Sequence, residues 1–418
     1  MQGHVYKPKC KCADKKKCNC GATWYYIVDV GVDPKTGGRD QTKKGGFKTK
    51  KAAQLAVAKV IDEVVQGAFI KESNLTFEEF AKEWMDYYKN SGKRQRKDGT
   101  IRIRIHELAH LNKYFAKLKL KNITLKQYQN ALIDLKEHGK GKDKKGNDKG
   151  GLSRQTLEGI HVTARMIFKR ALEVGELKID PTQYAYLPRD ETKSIDELED
   201  EEEEIKYMEK DELSLFLKTA KNKGLDKDYQ VFMLLAYTGM RVGELCALKW
   251  KDIDFDECAV NITKTLYNPN NNIKKYKLVL PKNGLKRKIT VDGVVLEELK
   301  KHKSEQNIVK MENRSTWHDK DFVFTKEVKY LGYPEIIKTI ENRMRRLLKI
   351  ASLNTSLTPH SLRHTHTSLL AEAGVSLPEI MERLGHKDDK TTRLVYMHTT
   401  KAMKKEASQK FSELMKSL

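Results

Sequence analysis

Nowhere in the 418 residues does an apolar run approach the 18 or so that a membrane-spanning helix needs. The first 20 residues are polar and rich in lysine and cysteine, so no secretory leader is expected and the compartment is read as cytoplasmic. No internal repeat is present, so the chain is read as distinct modules, and its length allows two or three. Acidic residues are in short supply: 58 Asp and Glu face 81 Lys and Arg, a formal net charge of +23. An imbalance of that size calls for a polyanionic partner, and with no membrane span nucleic acid comes first.

Cysteine is scarce outside one cluster. Cys246 and Cys258 are isolated and read as ordinary core thiols. The other four form Cys10-x-Cys12 and Cys18-x-Cys20. In a reducing compartment such clustering argues for a metal before a disulfide. Zinc binds four thiolates tetrahedrally and can replace the core that a short segment lacks. Cys-x-Cys is tighter than the Cys-x2-Cys usual in structural zinc sites, so reduced thiols without metal are the competing reading.

The expected fold is mainly α with small β elements. The first module covers residues 1–70. In it, Thr23–Val30 alternates like a strand, Asp33-Pro-Lys-Thr-Gly-Gly38 is a turn, Arg39–Lys43 is a second strand, and Gly45-Gly46 leads to a third at Phe47–Thr49. Thr49 then caps a helix from Lys50 to about Gln66. A three-stranded sheet carrying lysines, backed by one helix, suits a DNA groove. The second module, residues 75–187, opens on a capping box at Thr76 and Glu79. Stripes such as Phe77, Phe80, Trp84 and Ile105, Leu108, Leu111, Phe115 predict a bundle of four or five helices with basic loops at Lys93–Arg104 and Lys136–Lys149. Residues 188–205 are strongly acidic and read as an extended linker. The last module, 206–418, is mostly helical with a small antiparallel sheet from about Ala259 to Val291.

That last module carries the chemistry, in Arg241, Lys282, His360, Arg363, His386 and Tyr396. Thr358-Pro359 reads as an N-cap and first helical residue, which places His360 in the first turn, where free N–H groups favour an anion. Arg363 shares its face, and Leu362, His366, Leu369 and Leu370 form the opposite, buried stripe. A second helix, Leu377–Leu384, stops at Gly385, and His386 emerges just beyond. Glu244, three residues after Arg241, is placed to brace it, and Asn283-Gly284 signals a hairpin with Lys282 at its tip. In-line attack on phosphorus loads charge onto the nonbridging oxygens, and preplaced cationic donors stabilise that charge. A tyrosine among such donors is a candidate nucleophile, and a lysine a candidate acid for the leaving oxygen. Taken singly, each residue has a plainer reading: solvated arginine or lysine, packed histidine, half-buried tyrosine. His364 and His366 are read that way.

The segments Thr-Gly-Met-Arg-Val-Gly-Glu-Leu at Arg241, Leu-Thr-Pro-His-Ser-Leu-Arg-His-Thr at His360 and Arg363, Leu-Gly-His386 and Thr-Thr-Arg-Leu-Val-Tyr396 follow one another in an order that resembles the tyrosine recombinases of the phage-integrase family. The lysine segment departs from the common family pattern, reading Pro-Lys-Asn where Thr-Lys-Thr is frequent, with Lys286 and Lys288 close by. The resemblance implies that Arg241, Lys282, His360, Arg363 and His386 activate a phosphodiester and that Tyr396 attacks it. It implies a 3′-phosphotyrosine intermediate, integration and excision of a prophage or transposon, and no ATP or metal cofactor for catalysis. The implied modules are an arm-type DNA-binding domain, a core-binding domain and a catalytic domain. The implied partners are double-stranded DNA at core and arm sites, three further copies in a homotetramer, and an excisionase or host DNA-bending protein. A relaxing topoisomerase of the same chemistry, or a DNA-binding regulator with an inactive catalytic domain, are the alternatives. The tail from Lys401 to Leu418, with Ala402, Ala407, Phe411, Leu414 and Met415 on one face, is expected to act between subunits.

Overall fold

The computed structural model describes residues 3–8, 10, 12, 20–32, 37–66, 69, 74–91, 96–141, 146–188, 207–282, 284–385 and 411–416. The chain divides into two compact units, Met1–Ser194 and Ile195–Leu418. The division falls inside the segment expected to be an acidic linker, and that segment lies outside the described residues from 189 onward.

In the first unit, strands β1 (Gly3–Tyr6), β2 (Trp24–Val32) and β3 (Arg39–Phe47) form an antiparallel sheet in that order. Helix α1 (Lys50–Val65) packs on it through Val57 against Tyr26 and Val28. Thr49 caps α1 as expected, its Oγ1 accepting from the Ala52 N–H at 3.1 Å. Three strands and one helix agree with the sequence reading, but the third strand is a different one. It is Gly3–Tyr6, ahead of the cysteines, and Gly45-Gly46 lies inside β3 rather than between strands. Between the pairs Trp24↔Phe47 and Tyr26↔Lys44, β3 carries one residue more than β2, a bulge. A side chain at Gly45 would come within 2.4 Å of the Tyr25 ring, so the glycine serves a close approach and not a turn.

The same unit continues in a bundle of α2 (Phe77–Asn90), α3 (Asp98–Phe115), α4 (Leu125–His138) and α5 (Arg154–Glu173). The capping box closes at both ends: Thr76 Oγ1 accepts from the Glu79 N–H at 3.3 Å, and Glu79 Oε2 accepts from the Thr76 N–H at 2.8 Å. Phe77, Phe80, Trp84, Leu111, Phe115, Tyr128, Leu132 and Phe168 fill the core. Two expectations are corrected. Ile105 is exposed, because the inward line of α3 runs through Glu107, Leu111 and Phe115. The stretch Lys93–Arg104, read as a loop, is helical from Asp98, and Arg104 turns inward to donate to Glu107 Oε2 at 2.7 Å and Thr163 Oγ1 at 2.8 Å.

The second unit contains α6 (Lys210–Lys223), α7 (Asp228–Thr238), α8 (Val242–Cys246), α9 (Gly293–Glu312), α10 (Ile337–Ile350), α11 (Pro359–Glu372) and α12 (Leu377–Leu384). Helix α7 is apolar nearly all round, Val231 to Ala236 being buried, because α6, α9 and α11 all pack against it. Five short strands accompany the helices: β4 (Ile253–Asp254), β5 (Ala259–Ile262), β6 (Thr265–Tyr267), β7 (Lys277–Val279) and β8 (Arg287–Thr290). The expected hairpin about Asn283-Gly284 is not a two-residue turn between paired strands. Strand β7 pairs with β6 and β8 pairs with β5, so the two arms run antiparallel with a broken middle. Seven positions, 280–286, separate β7 from β8 where only 263–264 separate β5 from β6, and Lys282 lies in that longer connection. A turn does form there, the Gly284 N–H donating to the Pro281 carbonyl at 2.8 Å, but strand pairing is decided by the partners of each arm.

Candidate functional site

The site is assembled where α7, α11, α12 and strand β8 meet. Gly239 ends α7 in the left-handed conformation, φ +59°. A Cβ there would lie 2.6 Å from the His366 ring and 2.9 Å from Leu384, so only glycine lets the end of α7 approach both. The chain then delivers Arg241 to the N-cap position of α8. Glu244, one turn on and 2 % exposed, reaches back: its carboxylate accepts from the Arg241 N–H at 3.0 Å and the Arg241 guanidinium at 3.1 Å. The expected brace is therefore present, and it holds a second arginine as well. Arg287, from β8, donates to the same carboxylate at 2.7 and 3.3 Å and to the Arg383 carbonyl through Nε at 3.0 Å. Burial raises the pKa of Glu244, but bonds and charge from Arg287 and Arg241 outweigh it and hold the carboxyl below the ordinary carboxylate value.

Arg363 departs from the sequence reading. It was expected on an accessible face of α11 with His360, opposite a buried stripe. The helix is instead buried on most sides, Arg363 included at 2 % exposure, while Leu369 and Leu370 are only half-buried. Two helix ends make this tolerable: the guanidinium donates to the Gly239 carbonyl closing α7 and to the Leu384 carbonyl closing α12, each at 2.7 Å. Burial and the charges of Arg241 and Arg287 push its pKa down to about 9, against the pull of Glu244. It remains cationic at neutral pH, in surroundings that an incoming anion would relieve.

His360 stands in the first turn of α11, its ring edge-on to His364 at 4.8 Å. The residue keeps an exposed side, and the chain beneath it together with His364, Arg363, Arg241 and Lys282 lowers its pKa to about 4. The imidazole is thus neutral at pH 7, able to donate from one nitrogen and accept at the other. The same coupling shows that Arg241, Lys282, His360 and Arg363 share one field. His386 and Tyr396 lie outside the described residues. Helix α12 has the expected bounds, and Gly385 closes it at φ +66°.

His366 is packed, as read from the sequence, and its role is visible. Nδ1 donates to the Ala236 carbonyl at 2.8 Å and Nε2 accepts from Arg383 Nε at 3.2 Å, which requires the neutral ring. Burial and Arg383 hold its pKa at about 4. Arg287 and Arg383 were not singled out from the sequence. A strand-period reading of Lys286-Arg-Lys-Ile-Thr would have turned Arg287 inward beside Ile289, away from its two lysine neighbours. Nothing local marks Arg383. Of the four clustered cysteines, Cys10, Cys12 and Cys20 come together, with their sulfurs within 4.8 Å of one another, and Cys18 lies outside the described residues. Cys246 is a buried core thiol, as expected.

A family profile described as the phage integrase family matches residues 206–403, and one described as an arm DNA-binding domain matches residues 14–64. The integrase of Staphylococcus phage L54a is 34% identical over 239 residues, covering 55% of this chain and 66% of that protein, just under two thirds. The prophage ps2 probable integrase of Lactococcus lactis subsp. lactis (strain IL1403) is 27% identical over 366 residues, 85% of this chain and 88% of the relative. Among solved structures, the Tn1549 transposon integrase in complex with a circular intermediate DNA superposes with a TM-score of 0.59 at 21% identity, over 79% of this chain and 99% of that one. A lambda integrase tetramer bound to a Holliday junction gives 0.54 at 17% identity, over 89% and 92%. The two structures bear on the fold, mainly α with small antiparallel sheets; the profiles and relatives bear on the family.

Proposed function

The chain belongs to the phage integrase family and is a site-specific tyrosine recombinase, and from that premise we propose that it integrates and excises a mobile DNA element with Tyr396 as its nucleophile. The phenolic oxygen of Tyr396 releases its proton to water and bonds to phosphorus, the bond to the 5′ oxygen breaks, and Lys282 protonates that oxygen. Arg241, Arg363, His360 and His386 bond the nonbridging oxygens, whose charge grows in the transition state. The 5′ hydroxyl of a partner strand reverses the step, so the phosphotyrosine conserves the bond energy and no nucleotide or metal is consumed.

One observation carries this reading: Arg241, Arg287 and Arg363 crowd about one buried carboxylate, Glu244, leaving a surplus of fixed positive charge beside a neutral His360. Fixed cations need no reorganisation when the charge of the reacting phosphate develops, which is why they favour the transition state over the ground state. A regulator with a dead catalytic domain would have no use for so much buried positive charge gathered at one place. A relaxing topoisomerase is disfavoured by the arm-type domain in front.

Residues 1–70 take arm sites and residues 75–187 with 206–418 take core sites of double-stranded DNA. Four copies assemble, and an excisionase or a host DNA-bending protein sets direction. The tail supports assembly: residues 411–416 are helical, and Phe411, Leu414 and Met415 are all more than half exposed. The rest of the tail, 401–410 and 417–418, lies outside the described residues. The test of the chemistry is a core-site suicide substrate. Wild-type chain forms a covalent adduct; Tyr396→Phe binds equally well and forms none. A covalent band that persists in the variant would assign the attack to another residue.

A further inference from the structure

We propose that Cys10, Cys12 and Cys20 hold a zinc ion that clamps the β1–β2 connection of the first module. The three sulfurs lie within 4.8 Å of one another, and those of Cys10 and Cys20 are 3.7 Å apart. Covalent S–S contact would need about 2.05 Å. Four sulfurs at about 2.3 Å from a tetrahedral zinc are separated by that length times the square root of 8/3, about 3.8 Å. The Cys10–Cys20 distance is therefore already that of a tetrahedron edge, and Cys12 needs to close by about 1 Å at most to join it.

The location gives the ion a purpose. Cys10 and Cys12 follow β1, Cys20 precedes β2, and the two strands pair along the whole of β1, from Gly3↔Val28 to Tyr6↔Tyr25. The ion ties together the loop end of that hairpin, next to the Tyr6↔Tyr25 pair. The module gains from such a closure, because among the described residues its buried apolar core at the helix–sheet contact is small: Tyr26, Val28 and Val57, with Ala53 of α1. So small a core does not usually stabilise a domain without a metal or disulfide. Cys10 itself is 7 % exposed, although the flanking chain is dominated by lysine. Lys7, Lys9, Lys11, Lys15, Lys16 and Lys17 offset in sequence the negative charge that three zinc-bound thiolates carry. The clamp also fixes the base of the sheet's basic face, where the Lys7 ammonium lies 4.9 Å from the centre of the Trp24 ring. An all-thiolate donor set selects zinc over magnesium, calcium or manganese. Cys18 lies outside the described residues, and the three thiols carry the proposal on their own.

The experiment uses the full chain, purified untagged without chelator. Elemental analysis is expected to return about one zinc per chain. After zinc is exchanged for cobalt, the protein should show the visible bands and near-ultraviolet charge-transfer absorption of tetrahedral cobalt thiolate. Cys10→Ser and Cys20→Ser are each expected to lose zinc about tenfold or more, and Cys258→Ser to keep it. Should a serine variant fail to fold, wild-type protein still decides: Cys10, Cys12 and Cys20 should resist alkylation when zinc is bound and react once it is removed. Full-length protein with less than about 0.1 zinc per chain and no cobalt–thiolate spectrum, full zinc retention in Cys10→Ser, or alkylation of the three thiols unaffected by zinc would each overturn the site.

Discussion

Glu244→Gln keeps the volume of the side chain and removes its charge, and so tests whether one carboxylate holds two arginines in place. The Glu244 side chain is 1% exposed and that of Arg287 is 7%, whereas that of Arg241 is 21% and can turn toward water. The main loss therefore falls on the Arg287 pair at 2.7 Å. Breaking a buried pair from one side costs about 3–5 kcal/mol, since the other charge stays behind without compensation. Glutamine retains one acceptor oxygen, which places the expected cost near the lower end, about 3 kcal/mol. For a unit of this size that lowers Tm by roughly 6–12 °C, at about 2–4 °C per kcal/mol. Calorimetry on the full chain should show the transition of the second unit moving and that of the first unmoved. Arg287→Met removes the other member, and the double variant leaves no buried charge in that pair. Its cost should fall short of the sum of the single costs by about 2–3 kcal/mol. Additive costs, within about 0.5 kcal/mol, would refute the shared carboxylate as a source of stability. Cleavage should fall about tenfold to a hundredfold in Glu244→Gln at temperatures where the variant is folded, because Arg241 loses its orientation.

Three further outcomes are expected. His302, bonded through Nε2 to the Val323 carbonyl at 2.8 Å, and His366 both have folded pKa values of about 4 against 6.5 for an unperturbed ring. Above pH 6.5 both are neutral folded or unfolded; as pH falls from about 6.5 to 4 only the unfolded chain takes up their protons, so stability drops by roughly 3 kcal/mol per histidine. Glu244 stays ionised through most of this range, its pKa lying below 4.5, and a urea midpoint that does not change between pH 7 and pH 4.5 would contradict the buried neutral rings. Deleting residues from Ala407 onward should impair tetramer formation and change cleavage while leaving single-site DNA binding intact; a truncated chain that assembles and recombines normally would remove the tail from assembly. Single-turnover core-site cleavage should proceed in excess chelator, because Arg241, Lys282 and Arg363 supply the positive charge, and a requirement for added Mg²⁺ would break that mechanism.

Much of this was legible in the chain because it is local. Helix α12 and its Gly385 cap, the Thr358-Pro359 start of α11, the Thr49 cap and the Thr76/Glu79 capping box are all decided within four or five residues, so residue type and spacing suffice. The brace between Arg241 and Glu244 was legible for the same reason, being one helical turn. The order of the motifs was enough to identify the chemistry, since each motif keeps its own local geometry wherever the chain carries it. Strand partners were less so: Gly3–Tyr6 was not read as a strand, and Gly45-Gly46 and Asn283-Gly284 were read as breaks between strands, because pairing depends on what lies alongside a segment and not on the segment itself. Tertiary structure alone decided that Arg363 is buried between two helix ends and that Glu244 also binds Arg287, 43 residues away. It decided as well that Cys10, Cys12 and Cys20 converge. Spacing along the chain says which groups can meet, but burial and electrostatic coupling depend on distance through space, and only the packed fold sets that distance.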